Sequence, residues 1–178
     1  MYIRMVLVSI FVFASGMLFA AEPTTGPLVK DYGPTFPMQE GDEPLPADFV
    51  YKVVFEATEY PGDTMTVNQE LMVVSRFMNM HARHGVPKEN LDVAVVAHGE
   101  TLKSMLVDEA YAKRYDSENP SLDLVMQLEQ AGVRFYACGQ SLGFRKFDRE
   151  ELASPVKVGL SAMTMLIYLQ SEGYSFLP

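Results

Sequence analysis

Two side chains capable of nucleophilic or acid–base chemistry each close an apolar run, and a glycine follows each of them. His98-Gly99 follows the run 91–97 (LDVAVVA), and Cys138-Gly139-Gln140-Ser141 ends the run 133–138 (VRFYAC). In an open parallel sheet, ligands collect beyond the carboxyl ends of the strands, so two such runs in one parallel sheet would bring the imidazole and the thiol to a common rim. Glycine lets the chain turn tightly and leaves amide hydrogens unshielded, open to an anion or a thiolate. The thiolate is the attacking form of cysteine, and those amides or a protonated His98 would favour it. The candidate site is therefore Cys138 as nucleophile, His98 as the group that tunes it, and Gly99, Gly139, Gln140 and Ser141 as ligand-binding backbone. A packing role competes with this, because free cysteine is among the most buried residue types.

Other chemistry finds little support. His81 and His84 lie three apart without Cys, Asp or Glu at ligand spacing, so no metal site is expected. The 12 methionines read as adaptable core and interface filling. There is no P-loop, no GxGxxG after a strand and no GxSxG elbow, and no cofactor is expected.

The elements that must position these residues are legible as alternating strands and helices. Residues 50–57 (VYKVVFEA) form a β-branched and aromatic strand, followed at 67–84 by a helical repeat with Val67, Leu71, Val74 and Met78 on one stripe. Val73, Phe77 and Met80 widen that stripe to about half the circumference, enough to meet a second subunit as well as the sheet. Strands at 91–97, 133–138 and 156–158 alternate with helices at 100–114, from Asn119-Pro120 to 131, and at 161–172, the last apolar almost all round. Phe147-Asp148 with Glu151 and Leu152 carries a capping box and a hydrophobic staple. Gly85-Val86, Gly132-Val133 and Gly173-Tyr174 read as helix stops in which the apolar residue folds back on the last turn. Continuously apolar strands alternating with helices predict an α/β fold with a parallel sheet covered on both faces.

Three regions are expected along the chain. Arg4, an apolar stretch over 5–19 and small residues before Glu22-Pro23 stand in the order of a signal peptide, 1–20, cleaved after Ala20 or Ala21. The apolar stretch is shorter than the roughly 20 residues of a spanning helix. Residues 21–48, rich in Pro and Gly, form an extended arm, and 49–178 the α/β domain. The charge of −9 becomes −10 once Arg4 is removed. That acidity argues against nucleic acid and, after cleavage, against anionic membrane surfaces.

The sequence resembles the DsrE/DsrF-like family, in its exported, signal-peptide-bearing branch. The likeness runs over 50–178 and is carried by Val67-Asn68-Gln69, the stretch 76–81 (RFMNMH), Gly85-Val86-Pro87, 94–99 (AVVAHG), Asn119-Pro120, Gly132-Val133 through Cys138-Gly139-Gln140-Ser141, and Leu160-Ser161-Ala162-Met163-Thr164 with Leu169-Gln170 and Gly173-Tyr174. The resemblance implies a three-layer α/β/α domain with a mostly parallel sheet of about five strands, assembled as a homotrimer or homohexamer. It also implies a sulfur relay, in which a cysteine at the place of Cys138 holds a persulfide and passes it on. Those carriers are cytoplasmic, whereas this chain is expected in the periplasm. The reading is a periplasmic sulfur carrier or sulfurtransferase with an unidentified sulfur donor or acceptor. The alternatives are a non-catalytic oligomer binding a small anion or partner protein at the same rim, and a redox-active thiol protein.

Overall fold

The computed structural model describes residues 21–46, 48–60 and 63–178; the expected signal peptide lies outside the described residues. Strand β1 (Tyr51–Ala57) leads through helix α1 (Gln69–Arg83) to β2 (Leu91–Ala97), the register aligning Ala57 with Ala97. A 3-10 segment (Gly99–Met105), α2 (Asp108–Tyr115) and α3 (Leu122–Gln130) precede β3 (Arg134–Cys138), where Ala137 aligns with Ala97. Helix α4 (Gly139–Arg145), β4 (Val156–Gly159), α5 (Ala162–Ser171) and β5 (Ser175–Leu177) complete the chain. The sheet order is β4-β3-β2-β1-β5 and every pairing is parallel. The expected five-stranded α/β/α architecture is present.

The two outer layers are unequal. One sheet face (Val53, Phe55, Val93, Val95, Phe135) carries the main core, with Leu71, Val74 and Met78 of α1, Tyr111 of α2, Leu124 and Leu128 of α3 and Leu142 of α4. On the other face Val54, Ala94, Val96 and Cys138 are covered by Ala162 and Leu169 of α5 and by Tyr174. Helix α1 starts where Asn68 Oδ1 accepts from the amides of Glu70 (2.8 Å) and Leu71 (3.2 Å). At the end of α3, Gly132 takes φ +101° and Val133 N donates back to Leu128 O at 2.9 Å, the stop its sequence announced.

Several elements differ from expectation. The helix expected over 100–114 is split, because Leu106 and Val107 are extended: Leu106 bridges Leu152, and Val107 N donates to Glu151 O at 2.9 Å. Helix α3 starts at Leu122 rather than at Asn119-Pro120, since Asn119 is spent on the preceding turn and bonds the carbonyls of Ser104 and Leu106. Helix α4 and strand β5 were not expected. The capping box of Asp148 and Glu151 is present, on a 3-10 turn.

The Pro/Gly-rich segment packs along α1. Val29 is fully buried in the main core. Arg83 donates to the carbonyls of Thr24, Thr25, Gly26 and Thr35, and Asn79 bonds Leu28, Val29, Tyr32 and Gly33. The arm is thus held by Asn79 and Arg83, while Val73 and Met80 of the widened apolar stripe remain exposed.

Candidate functional site

Strand β3 delivers Cys138 to the carboxyl rim, and the chain enters α4 with no intervening loop. Cys138 is the residue before the first helical turn, so its sulfur faces that turn's amides and accepts from Ser141 N at 3.4 Å. After β3 the chain crosses to the main-core face, whereas after β4 it crosses to the α5 face. The carboxyl ends of β3 and β4 therefore flank a topological switch point, the usual place for a ligand in an open α/β sheet. Cys138 aligns with Gly159 across it.

Amides from both sides of the switch point converge on the sulfur. Burial pushes the Cys138 thiol up, but the Ser141 hydroxyl and amide, with the amides of Ala162 and Gln140, outweigh it and hold the thiol below its ordinary range. Ser141 and Gln140 belong to the start of α4 and Ala162 to the start of α5. Gln140 also reaches across, its Nε2 donating to Leu160 O at 3.3 Å.

Gly139 has a packing role besides the tight turn its sequence suggested. A Cβ there would meet Gly159 O at 2.8 Å, so the glycine permits close backbone approach between the two turns and does not uncover the thiol. Cys138 is 5 % exposed in the protomer, in keeping with the packing role that competes for a free cysteine. Gly99 likewise has a backbone role, with φ +58° and a would-be Cβ at 2.5 Å from Thr58 O.

His98 reaches the rim beside Cys138 but is engaged elsewhere. The register that aligns Ala57, Ala97 and Ala137 places the end residues of three neighbouring strands side by side, and by alternation Glu56, His98 and Cys138 belong to the same face. His98 Nε2 lies 2.9 Å from Glu56 Oε1, both side chains being partly exposed. The groups that lower the thiol most are amides and the Ser141 hydroxyl. Sequence reasoning missed Glu56 and Ala162. The signal for Glu56 was a lone carboxylate near the carboxyl end of a mostly apolar strand; Ala162 becomes visible only when β4 is set beside β3.

Beyond the rim lies a cleft of about 710 Å³ between the ends of α2 and α4, with Gly99 and Ser141 at its inner edge and Arg114, Tyr115, Phe144 and Arg145 around it. His81 and His84 are occupied by the backbone: their Nδ1 atoms meet Phe77 O (2.8 Å) and Met80 O (2.6 Å), and His84 Nε2 accepts from Met38 N. Among the described residues no group of three or more His, Cys, Asp or Glu side chains is placed to hold a metal ion, and no helix is long and apolar enough to cross a membrane.

Comparison with known proteins agrees with this architecture. A protein of unknown function from Methanobacterium thermoautotrophicum is 25% identical, with a TM-score of 0.50 over 71% of this chain and 97% of that one. The ychN protein of E. coli is 16% identical, with a TM-score of 0.51 over 71% of this chain and 96% of that one, a likeness of fold alone. No match is found among curated proteins. The model of the DsrE/DsrF-like family matches residues 53–178, from within β1 through the cysteine strand to the last residue, and with well over half of its length so matched the chain belongs to the DsrE/DsrF-like family.

Proposed function

We propose that this chain is an exported sulfur carrier that holds sulfane sulfur as a persulfide on Cys138. The observation that carries the reading is the convergence of Ser141, Gln140 and Ala162 on one sulfur at the switch point, which favours an anion there. Loading proceeds by attack of the Cys138 thiolate on the terminal sulfur of a persulfide R–S–S⁻. A new S–S bond forms to Sγ, the old one breaks, and its electron pair leaves on R–S⁻. Charge is conserved and no external oxidant is needed. The same amides then face the persulfide, and delivery is this step in reverse onto an acceptor thiolate.

The test is an intact-mass spectrum of the purified protein after incubation with inorganic polysulfide, with and without reductant. One added sulfur that reductant removes and Cys138→Ser abolishes is the expected result. Iodoacetamide labelling no faster than that of a free cysteine, or none before denaturant is added, overturns it. Low exposure of Cys138 favours the second reading, a non-catalytic module binding a small anion at the same rim. A labelled thiol that forms mixed disulfides but never takes up sulfur would point instead to a redox protein.

A further inference from the structure

We propose that the cleft between α2 and α4 is a binding site for a small organic anion, a carboxylate-bearing thiol or its persulfide, presented with its sulfur toward Ser141. The proposal rests on the sulfur-carrier reading for its purpose and on the cleft alone for its existence.

The cleft has the size of a small-molecule site, about 710 Å³. Its two guanidinium groups are not equivalent. Arg114 is committed: Nη1 and Nη2 bond the two oxygens of Glu151 at 2.8 and 2.7 Å and also reach Ala110 O and Lys146 O, with the guanidinium over the Phe147 ring. It is wall. Arg145 gives Nη2 to Glu100 Oε1 at 2.6 Å, and Glu100 has a side chain 54% exposed. Arg145 is itself 28% exposed, but it holds Glu100 through a single contact at the half-open carboxylate rather than through a bidentate pair, so a ligand carboxylate can share or replace Glu100 on a guanidinium suited to bidentate capture. Lys103, 3.6 Å from Glu100, adds positive charge beside it.

An inorganic donor would need only charge, and the cleft also offers apolar surface. Phe144 stands at its edge 89% exposed, next to Arg145 on the last turn of α4. Tyr115 lies opposite on the last turn of α2. A ring so exposed gains from covering the body of a bound molecule. At the inner edge Ser141 both lines the cleft and hydrogen-bonds the Cys138 sulfur, so a ligand seated on Arg145 and Phe144 ends one side chain away from the thiol.

The test uses the mature chain with Cys138→Ser, which cannot exchange sulfur, titrated calorimetrically with S-methylglutathione. Saturable one-to-one binding is expected, weakened roughly tenfold by Arg145→Gln, as loss of a charge-assisted contact implies. Phe144→Ala should weaken it too, and binding should fall as salt rises. No saturation in the millimolar range, or equal affinity in Arg145→Gln, overturns the proposal. Loading of the unaltered chain by inorganic polysulfide separates the two readings. Binding without loading keeps the cleft and removes the carrier, and loading without binding does the reverse.

Discussion

At Cys138 the competition is between burial, which disfavours a thiolate, and hydrogen bonds, which favour it; the hydrogen bonds prevail. Because the folded-state value lies below that of an unfolded cysteine, the thiolate adds stability above the unfolded value, and that contribution is lost as pH falls through the folded one. Ser141→Ala removes the hydroxyl and leaves the amide. The midpoint of iodoacetamide labelling against pH should rise, and labelling at neutral pH should slow roughly fivefold, the effect of about 1 kcal/mol, the net contribution of a typical hydrogen bond. His98→Ala should move the midpoint less, because its Nε2 is held by Glu56. The opposite order would place the imidazole, rather than the amides, in control of the thiol. Cys138 and His98 were legible because each closes an apolar run before a glycine, a pattern local in sequence. Glu56 and Ala162 were not, because what joins them to the site is strand register and a crossover.

At the scale of elements, legibility followed the strength of local pattern. Strands β1 to β3 are seven, seven and five residues of nearly unbroken apolar or β-branched sequence, and they stood out. Helix α4 has two glycines in seven residues, and β5 is three exposed residues at an edge, too little pattern for either to announce itself. The split at Leu106 depends on Leu152, far along the chain, so local propensity gave a single helix. The arm shows how a segment without a period can still be fixed. Asn79, fully buried, accepts from Leu28 N at 3.1 Å and Val29 N at 2.8 Å and donates to the carbonyls of Val29 (2.9 Å), Tyr32 (2.9 Å) and Gly33 (3.2 Å). Asn79→Ala takes the partner from the Leu28 and Val29 amides and from the Tyr32 and Gly33 carbonyls, while Val29 O keeps the amide of Gly26. The substitution should cost about 2–4 kcal/mol, read as a lower Tm, and open residues 21–46 to protease before the domain unfolds. Proteolysis of arm and domain together would mean that the arm is secured elsewhere, with Arg83 the next residue to replace.

At the scale of the whole molecule, the unequal layers carry the last prediction. Helices α1 to α4 share one face of the sheet, while α5 alone covers the other and turns a second apolar side outward. Met163 is 73% exposed and Ile167 70%, with Leu160 and Tyr168 beside them in sequence and Phe176 and Leu177 on the edge strand β5. A run of large apolar side chains on one helix exceeds the scattered exposure normal for a monomer, and parallel edge strands add unpaired backbone groups. On α1, Val73 and Met80 of the surplus apolar face are 46% and 41% exposed, less than Met163 and Ile167, so α5 offers the larger surface for self-association. We therefore expect a homo-oligomer, a trimer or a multiple of it, closed through α5. Light scattering of the mature chain at micromolar concentration should give that mass, and Ile167→Glu, which sets a charge in the centre of the face without touching either core, should give the monomer with its fold intact. A monomer mass for the unaltered chain would overturn the assembly, and an oligomer unmoved by Ile167→Glu but dissociated by Phe77→Glu would return the interface to α1.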